Sequence, residues 1–543
     1  MTDGTLIAGA TIIDGTGAPG AVGDVLIKDG RIVHVSTSLD ERRGALDERR
    51  EALDDQGVEV IDAHGLVVAP GFIDIHTHSD VSLYLDGRGQ SKLFQGVTTE
   101  VIGNCGFSPY PLTPERRDEQ LDLMEGVGDD RIDPDWTDLD GYAAALEGRG
   151  IALNAASLVG HGQLRLAAAG SDERPLTEDE IDVATQLLAT LLDQGAFGLS
   201  TGLTYVPSRF ADTAELQALC RVLADRGAIY TTHARGDGAP SIVEAIELSR
   251  STGVRVQYSH LAINNPAKWG TADALLSLLS KGREGGADIA GDVYPYDASA
   301  SALTQYLPVW IQEGGIEGLR ERLADNETFA RAEADLAAGW GSGGVIPWYW
   351  DRVILSRTDG LLGTTDGETI EEAATRLGHT PAALVLKMCA AGGHRVQVVL
   401  RYRTEEDMQA FLVDPCTTMG SDGSAVGYDL TDRRPHPRFF GASARLLGRY
   451  VRELGLLDLS TAVHKMTGAV ADRIGITDRG VLRPGAAADV VLFDPSAVID
   501  RATFVDPAQP PDGIRAVWVN GELAVDRGVQ TEARAGRVLR RGL

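Results

Sequence analysis

The spacing of apolar residues divides the 543-residue chain into three stretches. Over the first 70 residues, apolar positions come in short runs broken by glycine-rich turns, at 5–13, 25–27 and 31–35, a pattern that predicts strands. From Gly71 onward, strand-like runs alternate with segments of helical period, as parallel βα units require. Past about residue 474, short strands return at 488–493 and 516–519. The division predicts an α/β protein: a (β/α)8 barrel over 71–474, and a small β-sandwich domain whose halves are residues 1–70 and 475–543.

Helix starts within the middle stretch are marked by local chemistry. Thr177 and Glu180 form a capping box ahead of a helix over about 178–193, in which Ile181, Ala184, Leu187, Leu188, Leu191 and Leu192 share one face. Asp212 and Glu215 open the next helix in the same way. Strands are expected at 151–159, 197–201, 228–232, 254–259, 288–293 and 417–421. Between them, residues 300–410 lose this regularity, and an insertion partly covering the barrel mouth is expected there, with two βα units on long loops as the alternative. The charged stretch 40–56 reads as a solvated helix or loop.

Composition removes several function classes. Seventy-nine acidic against fifty basic residues give a net charge of −29, which repels nucleic acid and anionic membranes. Four cysteines are too few for a disulfide framework, no run of about 18 apolar residues occurs, and the opening Met1-Thr2-Asp3-Gly4 lacks a signal region, so a cytoplasmic location is expected. A homo-oligomer stays open.

Candidate chemistry sits where the strands end, the face on which a (β/α)8 barrel builds its active site. His76 and His78 close the apolar run Gly71-Phe72-Ile73-Asp74-Ile75, and residues two apart on a strand share a face. Cys105 follows the second barrel strand, His233 and His260 follow later ones, and Asp422 follows the last. Nitrogen and thiolate donors are the ligands zinc prefers, and a catalytic zinc keeps one position open. Six candidate ligands therefore fall at five strand ends. His161 and His436 carry less weight, as residues that orient loops, and Cys220, Cys389 and Cys416 read as core.

The opening signature Gly71 to His78 resembles the amidohydrolase superfamily. Further motifs resemble its N-acyl-D-amino-acid deacylase (D-aminoacylase) family: Gly103-Asn104-Cys105-Gly106-Phe107-Ser108, Gly160-His161-Gly162, Gly198-Leu199-Ser200-Thr201-Gly202-Leu203-Thr204-Tyr205, Thr232-His233-Ala234-Arg235, Tyr258-Ser259-His260, Asp292-Val293-Tyr294-Pro295-Tyr296, Gly420-Ser421-Asp422-Gly423 and His436-Pro437-Arg438. The resemblance spans nearly the whole chain and extends to Asp478-Arg479-Gly480 and Asp489. It implies zinc held tightly on Cys105, His233 and His260, with His76 and His78 beside a second, weaker metal position. Many relatives bridge two metals with a carboxylated lysine on the fourth strand; the 197–205 segment has no lysine, and a bridging thiolate fits that absence.

The activity implied is hydrolysis of the linear amide of an N-acyl-D-amino acid, a small-molecule substrate, with Asp422 shuttling the proton as general base and then general acid. Many family members place a lysine two residues after the equivalent of His260 to hold the substrate carboxylate; here that position is Ala262. Arg438, Arg235, Tyr294 and Lys268 are the candidate anchors, and Tyr205, Tyr296, Ser299 and Ser301 candidate pocket residues. A cyclic amidase of the dihydropyrimidinase or hydantoinase kind is the alternative enzyme, which the missing lysine disfavours. A non-catalytic scaffold with this fold is the alternative from another class, which the intact ligands and Asp422 disfavour.

Overall fold

The computed structural model describes residues 4–37, 57–127, 130–236, 238–341, 345–431 and 433–542, so the expected loop or helix at 40–56 lies outside the described residues. Eight parallel strands form the barrel: β1 (Phe72–Asp74), β2 (Val97–Ile102), β3 (Asn154–Gly160), β4 (Gly198–Gly202), β5 (Ile229–His233), β6 (Arg255–Tyr258), β7 (Ile289–Val293) and β8 (Thr417–Met419). Each pairs with the next in chain order. The ring closes just beyond the strands, where Asp422 N donates to His76 O (2.8 Å) and His78 N to Gly423 O (3.1 Å). Closure thus brings the His-x-His segment and Asp422 together.

Helices cover the outside, so the barrel strands are buried on both faces, including polar residues such as Thr99 and Glu100 of β2 and Ser200 and Thr201 of β4. The Glu178–Asp193 helix carries both hydrogen bonds of the capping box between Thr177 and Glu180, and Asp212 caps Thr213–Asp225 through the Glu215 amide. Among the described residues, no helix is long and apolar enough to cross a membrane.

Both ends of the chain contribute to one further nine-stranded sheet. Its seam is Val67–Pro70, parallel to Gly4–Ile12 on one side and antiparallel to Val490–Phe493 on the other. Ile32 N donates to Ala486 O and Ala488 N to Gly30 O, each at 2.9 Å, so the sheet folds over a core that includes Ile7, Val25, Ile27, Val490, Leu492 and Trp518. Asp489 binds this sheet to the barrel, accepting from Asn154 Nδ2 of β3 at 3.0 Å and from Asn520 N at 2.7 Å. The last strand, Val538–Leu539, leaves the small sheet and pairs with Ala155 and Ala156 of β3.

Between β7 and β8 the chain builds an antiparallel three-stranded sheet from Ser299–Ala302, Gln397–Leu400 and Val353–Arg357, the middle strand being Gln397–Leu400. Helices Gly315–Ala324, Asn326–Ala337, Ile370–Leu377 and Pro381–Gly392 pack on it around an apolar cluster of its own, including Leu319, Leu384 and Val398. Its inner edge, Ser299 to Ser301, forms a wall of the cavity at the barrel mouth.

Candidate metal centre and active site

Aiming side chains from strand ends into the barrel mouth demands unusual backbone. Cys105 (φ +54°), His260 (φ +35°) and Asp422 (φ +55°) all adopt the left-handed region, which L-residues other than Asn and Asp rarely enter. Each is held there by hydrogen bonds. Gly106 N, beside Cys105, donates to Ser200 Oγ (2.9 Å), His260 N donates to Asp292 Oδ1 (2.8 Å), and Asp422 N is tied to His76 as above. Gly103 can occupy its own left-handed position only because it lacks a Cβ, which would lie 2.2 Å from Leu158 O.

The six strand-end residues converge. Cys105 Sγ lies 3.3 Å from His76 Nε2 and 3.6 Å from His260 Nε2, and His260 Nε2 lies 3.0 Å from His233 Nδ1. His78 Nε2 is 3.0 Å and His76 Nε2 3.5 Å from Asp422 Oδ1. The donor atoms form two groups that share Cys105: Cys105, His233 and His260 in one, and His76, His78, Cys105 and Asp422 in the other, each within 4.8 Å of one another.

The electrostatics of this cluster call for a cation. Burial would push the Cys105 thiol up, but His76, His233 and His260 outweigh it and hold the group well below its ordinary value, as a thiolate. Burial would equally raise the Asp422 carboxyl, yet Arg438, His76 and His78 hold it well below the usual carboxylate range. Against their own burial, His78 is pushed up to about 9 by Asp422 and Cys105, and His76 well above its ordinary value by Cys105, Asp292 and Asp422. The anionic donors thus draw protons onto neighbouring imidazoles, and a divalent ion supplies the same charge while leaving those imidazoles neutral donors. Thiolate plus imidazole is a zinc donor set.

Around the cluster lies a cavity of about 300 Å³ lined by His78, Cys105, His233, His260 and Asp422, with Tyr205, Tyr294, Ser301 and Arg438 in its wall. Tyr205 packs against the His233 ring at 4.9 Å between centroids, Ser301 Oγ shares a hydrogen bond with Tyr306 OH (2.8 Å), and His233 Nε2 meets Thr204 Oγ1 at 2.8 Å. Ser299 and Lys268 also line the cavity. Ala262 does too, with no side chain beyond Cβ.

Two candidates lie elsewhere. Arg235 is turned away from the cavity: Nε donates to Glu244 (2.9 Å) and the terminal nitrogens to the carbonyls of Arg209 (3.1 Å) and Ala211 (2.5 Å). Arg235 is a candidate anchor by residue type; past the end of β5 at His233, these bonds direct it away from the cavity. Tyr296 is buried behind the cavity, its hydroxyl directed at Pro437 O. His161 is fully buried against Glu215 (2.7 Å), which Arg165 also binds, and so fixes the helix His161–Ala169 to the helix Thr213–Asp225. His436 donates from Nε2 to Ala298 O (3.1 Å) and accepts the Arg438 amide at Nδ1 (3.0 Å), positioning Arg438. Cys220 and Cys389 are buried, while Cys416 is partly exposed.

Sequence reasoning passed over Asp292, although it quoted the motif that contains it. Its Oδ1 lies 3.1 Å from His76 Nδ1 and accepts from His260 N, so one carboxylate orients a ligand from each donor group. Its placement at the end of β7, facing inward like the other strand-end residues, was the available signal. Also passed over was a fully buried set behind Asp422: Lys92 Nζ reaches Asp74 Oδ2 (2.8 Å), Glu100 Oε1 (3.3 Å) and Ser421 Oγ (2.6 Å), and Asp74 Oδ1 accepts from Ser421 N (2.8 Å). These bonds clamp the turn that carries Asp422.

Comparison with known proteins gives three concordant findings. The model of the amidohydrolase family matches residues 59–252 and 330–525. The sequence is 36% identical to an N-acyl-D-aspartate deacylase of Alcaligenes xylosoxydans xylosoxydans, over 99% of this chain and 95% of the relative, and 34% identical to a D-aminoacylase of the same organism, over 99% and 97%. The fold superposes with a TM-score of 0.81, at 32% identity and over 99% of this chain and 100% of the other, on the crystal structure of N-acyl-D-glutamate deacylase from Bordetella bronchiseptica complexed with zinc and a phosphonate inhibitor that mimics the tetrahedral intermediate.

Proposed function

The chain belongs to the amidohydrolase family, and from that membership we infer that it is a zinc-dependent N-acyl-D-amino-acid deacylase, splitting a linear amide into a D-amino acid and a carboxylate. The observation that carries this reading is the Cys105 thiolate shared between two donor groups with Asp422 beside it.

Cys105, His233 and His260 hold the zinc, with His76 and His78 at the second group. Bound there, zinc polarises the scissile carbonyl and lowers the pKa of water toward about 7. The protein's own part is the proton. Asp422 Oδ2 is engaged by Arg438 while Oδ1 faces the donor cluster, so Oδ1 takes the proton from the attacking water and returns it to the leaving nitrogen.

The lining of the cavity favours an anionic substrate. Among the described residues Arg209, Lys268, Arg357, Arg403, Arg433 and Arg438 line it, against the carboxylates Asp335 and Asp422, in a protein whose net charge is −29. Such a cavity gathers carboxylates rather than neutral cyclic amides. The same residues support a small-molecule partner, and free cysteines support a reducing, cytoplasmic setting.

The experiment is to measure zinc per chain and then release of free amino acid from paired N-acetyl-D- and N-acetyl-L-amino acids. Preference for the L series, or cleavage of hydantoins alone, overturns the reading.

A further inference from the structure

An N-acyl amino acid carries its α-carboxylate two bonds from the amide nitrogen, so a cation must stand within the cavity close to the reacting bond. Arg438 is neutralised by Asp422, with Nη1 2.8 Å from Asp422 Oδ2 and Nη2 donating to Ala300 O at 3.2 Å, although its Nε and Nη1 make no hydrogen bond. Arg357 is bound by Asp130 and lies 3.4 Å from Asp359. Arg235 faces away.

Arg403 differs from all of these. It follows the central strand of the inserted sheet, lines the cavity, and is only partly exposed. Its one hydrogen bond runs from Nε to the neutral Asn264 Oδ1 at 2.8 Å, on the same loop as Ala262. Among the described residues no carboxylate pairs with it, and its charge bears on the Tyr294 hydroxyl. The guanidinium lies over the Tyr294 ring, 4.8 Å from its centroid, and Arg438 lies over the same ring at the same distance. The Tyr294 hydroxyl is itself buried without a hydrogen-bond partner.

A partly buried guanidinium without an anion is costly to keep, and the cost is recovered when an anion arrives from solution. Anchoring Nε on Asn264 orients the remaining fork, whose two nitrogens match the two oxygens of a carboxylate. One aromatic ring separates this fork from the guanidinium that holds Asp422, which suits a substrate whose amide lies beside Asp422 and whose carboxylate lies a few ångströms further on. We propose that Arg403, together with the Tyr294 hydroxyl, holds the α-carboxylate of the N-acyl-D-amino acid, in the space that Ala262 leaves open. This rests on the deacylase reading.

The test compares N-acetyl-D-leucine with its carboxamide, N-acetyl-D-leucinamide, in wild-type, Arg403→Met and Arg403→Lys proteins, with zinc content and melting temperature measured alongside. Arg403→Met is expected to raise KM for the acid about 10- to 100-fold, leave kcat little altered, and lower the acid-to-amide ratio of kcat/KM by the same factor. Arg403→Lys, which keeps the charge but not the fork, is expected to restore part of that ratio. An acid-to-amide ratio unchanged in Arg403→Met overturns the proposal, whether both activities persist or both fall together as a purely structural role would make them. A wild-type protein that releases acetate from neither compound, nor from N-acetyl-D-aspartate or N-acetyl-D-glutamate, overturns the deacylase reading itself.

Discussion

Asp422 and Arg438 form a buried ion pair, Oδ2 to Nη1 at 2.8 Å, with side chains 9% and 4% exposed. The pairing leaves Oδ1 to the His76 and His78 side and keeps the carboxylate ionised despite its burial, the state a general base requires.

Asp422→Asn keeps the size and most hydrogen bonds of the side chain but cannot carry the proton. Turnover is expected to fall about 10²- to 10⁴-fold, with zinc content and the unfolding transition unchanged. Turnover near that of the wild type would exclude the role.

Cys105→Ala removes the donor common to both groups. Loss of zinc is expected by elemental analysis of the purified variant, and activity should vanish with it. A variant retaining the wild-type zinc content would mean that the thiolate is no ligand.

Asp292→Asn removes the negative charge that orients His76 and the His260 backbone. Zinc affinity, read by competition with a coloured chelator, is expected to drop about 10- to 100-fold, and an unchanged affinity counts against the orienting role.

Glu100 gives stability a pH dependence. Burial, and the charge of Asp74, raise its carboxyl to about 7 in the fold against Lys92, from an ordinary 4.5. Between those values the folded protein holds a proton that the unfolded chain has lost, so the contribution is full below pH 4.5 and disappears as pH rises through 7. It amounts to about 3 kcal/mol. Glu100→Gln should remove this slope, so the variant gains stability relative to wild type between pH 5 and 8 in urea unfolding; an identical slope in both proteins would locate the titrating group elsewhere.

What was legible in the residues was local. The capping box at Thr177 and Glu180 and the cap at Asp212 involve neighbours three apart, and both form as the spacing requires. His76, Cys105, His233, His260 and Asp422 stood out because each follows a strand, and parallel strands in a closed ring end on one face. Arg235 suits an anchor by residue type, but the structure commits it to Glu244 and to two backbone carbonyls.

Asp292 reaches His76 across 216 residues, and Lys92 reaches Ser421 across 329. The place of Asp292 near the end of β7 was a signal, but nothing in the neighbourhood of Lys92 marks its contact. Arg403 reads locally as a solvated charge after a strand, and enters the cavity only because the inserted sheet folds back over the barrel mouth.

Periodicity and residue type alone determined the βα alternation, the barrel and the donor chemistry at its strand ends, because those depend on side-chain direction within a few residues. Only the tertiary structure decided which charges share the cavity: Arg438 with Asp422, Asp292 with two ligands, and Arg403 with no carboxylate among the described residues. Burial and distance set those pairings, and both arise only when the ring closes and the insertion covers it.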